Sequence, residues 1–226
     1  NLLTLVRKGI INATAVNLNL IISDFLNSPE YKKMAGNYPG TTIETNLQPG
    51  LPGIYGSPVH LSKAVMNLVL NSMEATAQGG HITITTEGIT ITQSFNCYEV
   101  MKKGDYVCVK VSDNGEGISK KDLNRIFEPF YTKKVMGKSG TGLGLAIVWG
   151  TVKDHEGYVD VQSRKGEGTT FSLFFPGADD AIPGKEPEPG SKDYTGNGES
   201  ILIVDDDTLQ RNLCTKIVRK LGYSAQ

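Results

Sequence analysis

The sequence predicts an α/β fold, in which helix-period and strand-period stretches alternate along one chain. Three stretches carry that prediction. Residues 57–77 hold apolar side chains at helical spacing. Residues 81–92 alternate isoleucine with threonine. The glycine-rich stretch 137–145, GKSGTGLGL, runs into the apolar segment 143–149. Its four glycines, Gly137, Gly140, Gly142 and Gly144, let backbone approach a ligand closely. A helix start offers unpaired N–H groups and a positive dipole end, so the combination can cradle phosphate. A glycine-rich loop before a helix also serves as a plain flexible connection.

Length and charge narrow the field. The chain has 226 residues, which suits one ordinary domain plus pieces. Its 23 basic and 24 acidic residues give a net charge of -1, so no general electrostatic case exists for nucleic acid or an anionic membrane. Cys97, Cys108 and Cys214 are far apart and form no CxxC, which fits reduced thiols in a cytoplasmic protein. No apolar run approaches the ~20 residues of a membrane span. The chain begins at Asn1 and ends after one βα unit, as expected of a piece of a longer protein.

In chain order, residues 1–11 read as the end of a helix. Residues 17–34 read as a second helix, with Leu18, Ile21, Ile22, Phe25 and Leu26 recurring at three and four. Residues 41–47 alternate as a strand, a Pro-Gly turn follows, and Ile54 and Tyr55 make a short strand. Ser57-Pro58 opens the next helix, serine as N-cap and proline at the first position. Along it Leu61, Val65, Met66, Leu68, Val69 and Met73 share one broad face. His60, Lys63, Asn67, Asn71 and Glu74 share another, within about 80° of arc. A polar face is ordinarily just solvated. Asparagine is a poor helix former, however, so two at i and i+4 point to a purpose.

Residues 94–103 read as a loop and 105–111 as a strand. That strand delivers Asp113-Asn114-Gly115-Glu116-Gly117, which is either an Asn-Gly turn or a carboxylate at a pocket wall with backbone close to a ligand. Residues 121–127 read as a short helix. Phe127, Phe130 and Tyr131 follow as anchors of a loop, and Lys133, Lys134 and Lys138 as candidate charges for a polyphosphate. Residues 158–162 and 169–175 read as strands joined by a charged turn. Residues 176–198 are rich in Pro, Gly and acidic residues and read as a linker. Residues 200–204 are an apolar strand running into Asp205-Asp206-Asp207 and an amphipathic helix, 208–221. That arrangement suits a Mg²⁺ site at a strand end of a doubly wound fold.

Taken together, NLVLNSMEA from Asn67, DNGEGI from Asp113, FEPFYTKK from Phe127 and GTGLGL from Gly140 resemble the four boxes of the catalytic ATP-binding domain of sensor histidine kinases. These belong to the wider gyrase, chaperone, kinase and mismatch-repair ATPase superfamily. ILIVDDD, from Ile201, is similar to the first strand of a response-regulator receiver. The resemblance implies a two-layer α/β sandwich of the Bergerat type, with a mixed sheet and helices on one face, followed by a short βα fragment of a flavodoxin-like receiver. It implies four parts: 1–16 as the end of a phosphoacceptor helical hairpin, 17–176 as the ATP-binding domain, 177–198 as linker and 199–226 as the receiver start.

The resemblance also implies ATP and Mg²⁺ as cofactors, with roles carried over residue by residue. Asp113 accepts from the adenine amino group, and Gly115, Gly117, Ile118 and Thr170 shape its pocket. Asn71 coordinates Mg²⁺, while Asn67 and Glu74 lie along the same face toward the phosphates. Phe130, Lys133, Lys134, Gly140, Thr141, Gly142, Leu143, Gly144 and Leu145 cover and bind the nucleotide. Asp205 and Asp206 form an incomplete receiver metal pair. Where hydrolysing relatives carry a glutamate base, Asn67 is an amide, which favours phosphoryl transfer over hydrolysis. None of His60, His81 and His155 stands as an acceptor, so the acceptor histidine is expected on another domain. The expected partners are that hairpin and a receiver, with dimerisation supplied by the hairpin and this piece alone compatible with a monomer. A hydrolysing ATPase and a non-catalytic nucleotide-sensing module are the alternatives.

Overall fold

The computed structural model describes residues 13–76, 79–93, 95–96, 98–132, 141–178, 196–204 and 208–225. The chain divides into two compact units, Asn1–Ile182 and Pro183–Gln226. In chain order the first contains β1 (Thr14–Val16), α1 (Leu18–Asn27), α2 (Pro29–Gly36), β2 (Thr42–Leu47), β3 (Ile54–Gly56), α3 (Pro58–Ala75), β4 (His81–Ile91), β5 (Phe95–Asn96), β6 (Val100–Met101), β7 (Gly104–Asp113), α4 (Lys120–Leu123), α5 (Gly144–Asp154), β8 (Tyr158–Arg164) and β9 (Gly168–Pro176).

Five strands form one mixed sheet in the order β2-β4-β7-β9-β8. β2 runs parallel to β4, and the other three pairings are antiparallel. The parallel pair needs a long crossover, and α3 supplies it. Strand alternation splits the side chains between two faces. Ile82, Ile84, Val107, Val109, Val111, Phe171, Leu173 and Phe175 point toward the helices. There they bury against Ile22 and Phe25 of α1, Leu61, Val65, Leu68 and Met73 of α3, and Val148 and Val152 of α5. All the large helices therefore lie on one face, as expected. The opposite face carries a smaller cluster, Met101, Tyr106, Cys108 and Phe174. Burial pushes the Cys108 thiol up to about 12, so it packs as a small apolar group.

Several elements differ from the sequence reading. The single helix expected over 17–34 is two, because Ser28 ends α1 and then caps α2, its Oγ accepting from the Tyr31 amide at 3.1 Å. β1 falls within the segment assigned to the helical hairpin; it pairs antiparallel with β3. The loop expected over 94–103 contains the β5–β6 ribbon. α4 covers fewer residues than the helix expected over 121–127, while β7, β8 and β9 are each longer than expected.

α3 and α5 are tied together far from the glycine-rich end. His155, just past α5, accepts from the Ser57 amide through Nε2 at 2.9 Å. Its Nδ1 lies 2.7 Å from the Thr151 carbonyl. A carbonyl can only accept and an amide N–H only donate, so the ring hydrogen sits on Nδ1.

The second unit contains β10 (Ser200–Ile201), α6 (Thr208–Lys220) and β11 (Ser224–Ala225). β10 and β11 pair parallel. β10 is shorter than the strand expected over 200–204, and Leu202 and Val204 are exposed.

Candidate functional site

Asp113 ends β7 and is the centre of one end of the site. Its Oδ1 accepts from the Gly115 amide at 2.9 Å and the Thr169 amide at 3.3 Å, and its Oδ2 from the Ser72 hydroxyl at 3.0 Å. Ser72 is itself buried on α3. Burial nevertheless holds the Asp113 carboxyl above its ordinary value, against the opposing pull of those three bonds.

The loop that follows is fitted closely to its neighbours. Glu116 donates its amide to the Ala75 carbonyl at 3.1 Å, at the end of α3. The Ile118 amide donates to Ser163 Oγ at 2.7 Å. Gly117 has φ +66, and a Cβ there would lie 2.1 Å from the Arg164 carbonyl oxygen, so glycine is required on two counts. A hollow of about 390 Å³ opens here, lined by Asp113, Ser163, Arg164, Gly168, Thr169 and Thr170 among others. Its walls come from β7 and the β8–β9 hairpin, so it is the Asp113 end of the site alone.

Like Thr169, Thr170 lines this hollow. It lies with Ser112 on the sheet face away from the helices, their hydroxyls 2.9 Å apart. Thr169 is the threonine beside Asp113. A one-residue offset along a strand moves a side chain to the other face, and two adjacent threonines give no pattern to fix the register.

The other end lies between α3 and α5. Asn67 donates Nδ2 to the Lys63 carbonyl at 2.9 Å. Its Oδ1 would lie 3.1 Å from a Cβ at Gly144, so the Asn67 amide and the start of α5 are in direct reach. Asn71 stands one turn further along the same face. Among the described residues its buried Nδ2 has no hydrogen-bond partner. Such a group costs about 1–3 kcal/mol, which makes Asn71 a candidate ligand position. Leu143 at the head of α5 makes no side-chain cap, and the first turn of a helix carries amides that no intrahelical carbonyl satisfies. Gly142, φ +65, packs against the Phe130 backbone, and the Phe130 amide donates to the Gly142 carbonyl at 2.9 Å. Phe130 has φ +66 and is 74% exposed. Leu145 packs against the main core, as does Ile118. Thr141 is exposed, and Glu74 is half-buried and engaged.

Lys133, Lys134 and Gly140 lie outside the described residues, as do Asp205 and Asp206. Among the described residues, no group of three His, Cys, Asp or Glu side chains is placed to hold a metal. No described helix is long and apolar enough to cross a membrane.

A mixed sheet covered by helices on one face, an aspartate at a strand end before a glycine loop, and Asn67 facing the glycine-rich start of α5 are features of an ATPase-type nucleotide fold. Residues 56–179 match the histidine kinase-, DNA gyrase B- and HSP90-like ATPase family, and the chain belongs to it. The chain is similar to the sensor kinase CckA of Brucella abortus, 35% identical over 170 residues, covering 72% of this chain and 18% of that protein. It is also similar to the sensor histidine kinase ZraS of Escherichia coli K12, 33% identical over 175 residues, covering 77% of this chain and 33% of that one. The chain thus spans a third or less of the length of these relatives. Among solved structures it resembles the nucleotide-free catalytic domain of histidine kinase ThkA. The identity there is 27%, the TM-score 0.57, and the coverage 74% of this chain and 96% of that domain. Full-length ShkA, in complex with AMPPNP, shares the fold at 22% identity and a TM-score of 0.59, covering 95% of this chain and 40% of that one.

Proposed function

We propose that residues 17–176 bind Mg-ATP and transfer its γ-phosphoryl group to a histidine on another domain of a two-component sensor kinase. The buried, unpaired Asn71 Nδ2, one turn along α3 from Asn67 at the start of α5, carries this reading. Turning that amide about its last torsion exchanges N–H for carbonyl, so the position suits either a phosphate oxygen or a cation. The amide oxygen of Asn71 therefore suits Mg²⁺, which Asn71 would hold together with the nucleotide. The metal would supply charge neutralisation between phosphate oxygens.

The remaining work falls to the chain. Asp113 Oδ2 faces a donor, which suits the adenine amino group. Gly115 and Gly117 let the loop close against the Ala75 and Arg164 carbonyls, with Thr169 in the wall of the hollow beside Asp113. The amides from Gly142 to Leu145, leading into α5, align the phosphates. In the transfer the bond from the γ-phosphorus to the β–γ bridging oxygen breaks, a bond to an imidazole nitrogen forms, and ADP leaves. Phosphoryl transfer needs positioning and charge neutralisation more than covalent help. Asn67 is an amide and cannot take a proton from water, which supports transfer over hydrolysis. The curated relatives named as sensor kinases support the same reading.

Residues 199–226 are proposed as the start of a receiver domain. Support comes from the parallel pairing of β10 and β11 with α6 between them, the opening unit of a doubly wound sheet. Asp205 and Asp206 are its proposed metal pair, residues 177–198 the linker, and the residues ahead of β1 the end of the acceptor hairpin. The partners are then the hairpin histidine and a receiver aspartate, in a cytoplasmic part of the protein.

The test combines the chain with a separately expressed acceptor hairpin and γ-labelled ATP. Acid-labile, base-stable label on the hairpin supports the proposal. Steady phosphate release with no label on the hairpin overturns it in favour of a hydrolase.

A further inference from the structure

The β4–β7 connection reads as a plain loop, yet Tyr98 in it reaches across to two separate elements. Its ring lies 5.1 Å from Phe127, edge to face, and 5.5 Å from Trp149. Phe127 and Trp149 are themselves 5.1 Å apart, so the three rings close on one another. The Tyr98 hydroxyl donates to the Leu123 carbonyl at 3.2 Å, at the end of α4. The next residue, Glu99, pairs with Lys153 near the end of α5. Lys153 Nζ also donates to the Gly157 carbonyl at 3.1 Å and stands 4.6 Å over the Trp149 ring.

Those contacts sort by what they hold. Phe127 begins the segment whose Phe130 amide bonds Gly142. Trp149 sits on α5 little more than a turn past Gly144, the glycine that faces Asn67. Tyr98 thus links α5, through Trp149, to Phe127 and to the end of α4, and none of these contacts is made to Asp113 or its glycine loop. Aromatic pairs of this geometry contribute beyond their buried area and have strong directional preferences. A small shift in α5 would change the distance from its first amides to Asn67 and Asn71.

We infer that Tyr98 is a positioning residue: through Phe127 and Trp149 it sets the α5 amides against Asn67 and Asn71, and so tunes affinity for the phosphates while leaving adenine binding untouched. The inference rests on the phosphate role proposed above for the start of α5. It makes the β4–β7 connection a part of the site that no nucleotide-contacting motif marks.

The test is calorimetric titration of the full chain with Mg-ATP and, separately, with adenosine. Tyr98→Ala is expected to weaken Mg-ATP binding about tenfold while adenosine affinity stays within twofold. Tyr98→Phe keeps the rings and should restore most of the Mg-ATP affinity. Trp149 is the sole tryptophan. Its emission should therefore shift on Mg-ATP binding in the unaltered chain and in Tyr98→Phe, and less in Tyr98→Ala. Glu99→Gln, at a partly exposed ion pair, gives a second reading should Tyr98→Ala fail to fold: the same selective loss, about twofold. Equal losses of Mg-ATP and adenosine binding, or unchanged Mg-ATP binding in the folded variants, overturn the brace. Failure of the unaltered chain to bind Mg-ATP at all overturns instead the nucleotide reading on which it rests.

Discussion

The two ends of the site differ in how complete their hydrogen bonding is. At Asp113 both carboxylate oxygens already have partners, and the glycine loop is bonded to the end of α3 and to the β8–β9 hairpin. At the other end the buried Asn71 Nδ2 has no partner among the described residues, and no side chain of Leu143 caps α5. A finished wall selects by shape and by the acceptor it presents. An unfinished one takes its last partner from the ligand. Stability and binding should therefore separate along the site: damage to the first end unfolds the protein, and damage to the second costs affinity alone.

The sharpest break of that comparison is Gly117→Ala. Positive φ and a carbonyl 2.1 Å from the new Cβ should cost roughly 3–5 kcal/mol. Urea unfolding measures it, and a loss under 1 kcal/mol would show that the loop yields and is not a finished wall. Asn71→Leu should act in the opposite sense. It removes an open buried donor, so the chain should be as stable as before or gain about 1 kcal/mol, while Mg-ATP affinity falls on the order of 100-fold. Parallel melting and calorimetry test both halves, and a variant that melts early with affinity intact contradicts the assignment.

Asp113→Asn is the subtler probe. The asparagine Oδ1 can keep the Gly115 and Thr169 amides, and Nδ2 can donate to Ser72. The fold should survive, while a ligand amino group would meet another donor, weakening ATP about tenfold relative to the unaltered chain. The same variant exposes the pH linkage. The folded Asp113 carboxyl sits above its ordinary 3.8, so its stabilising contribution is present below that value. It is lost as pH rises through the raised folded value. Unfolding free energies of the unaltered chain and of Asp113→Asn should therefore diverge between pH 3.8 and neutrality, the former falling relative to the latter. Parallel pH curves would remove the burial argument. The smallest effect belongs to Glu167→Gln at the exposed Arg164 pair, below about 0.5 kcal/mol by urea unfolding.

The legible parts of the fold are those with long periodic runs or distinct caps. Ser57-Pro58 marked the start of α3, and its face with Asn67 and Asn71 does meet α5. The same Ser-Pro signal at Ser28-Pro29 divides α1 from α2, and the apolar periodicity running across it hid the break. β1, β5 and β6 are two or three residues long, too short for alternation to register. The parallel pairing of β2 with β4 depends on the α3 crossover, a tertiary fact. At the site, Asp113 was legible because a strand ended in an acidic residue and glycines. The Thr169–Thr170 register was not, and neither was Tyr98, whose partners lie 29 and 51 positions away in chain number.

His155 has a mechanical consequence. Its ring, held by the Thr151 carbonyl at the end of α5, pins the start of α3 through the Ser57 amide, with Gly56 clearing space for it. The pair is then a set of tongs hinged at one end, with Asn67 and Gly144 on the jaws. α5 has 11 residues, a span of about 16 Å, so each degree of rocking at the hinge moves its tip about 0.3 Å. Hydrogen-bond geometry at the tip is thus decided largely by how firmly one imidazole is seated at the other end.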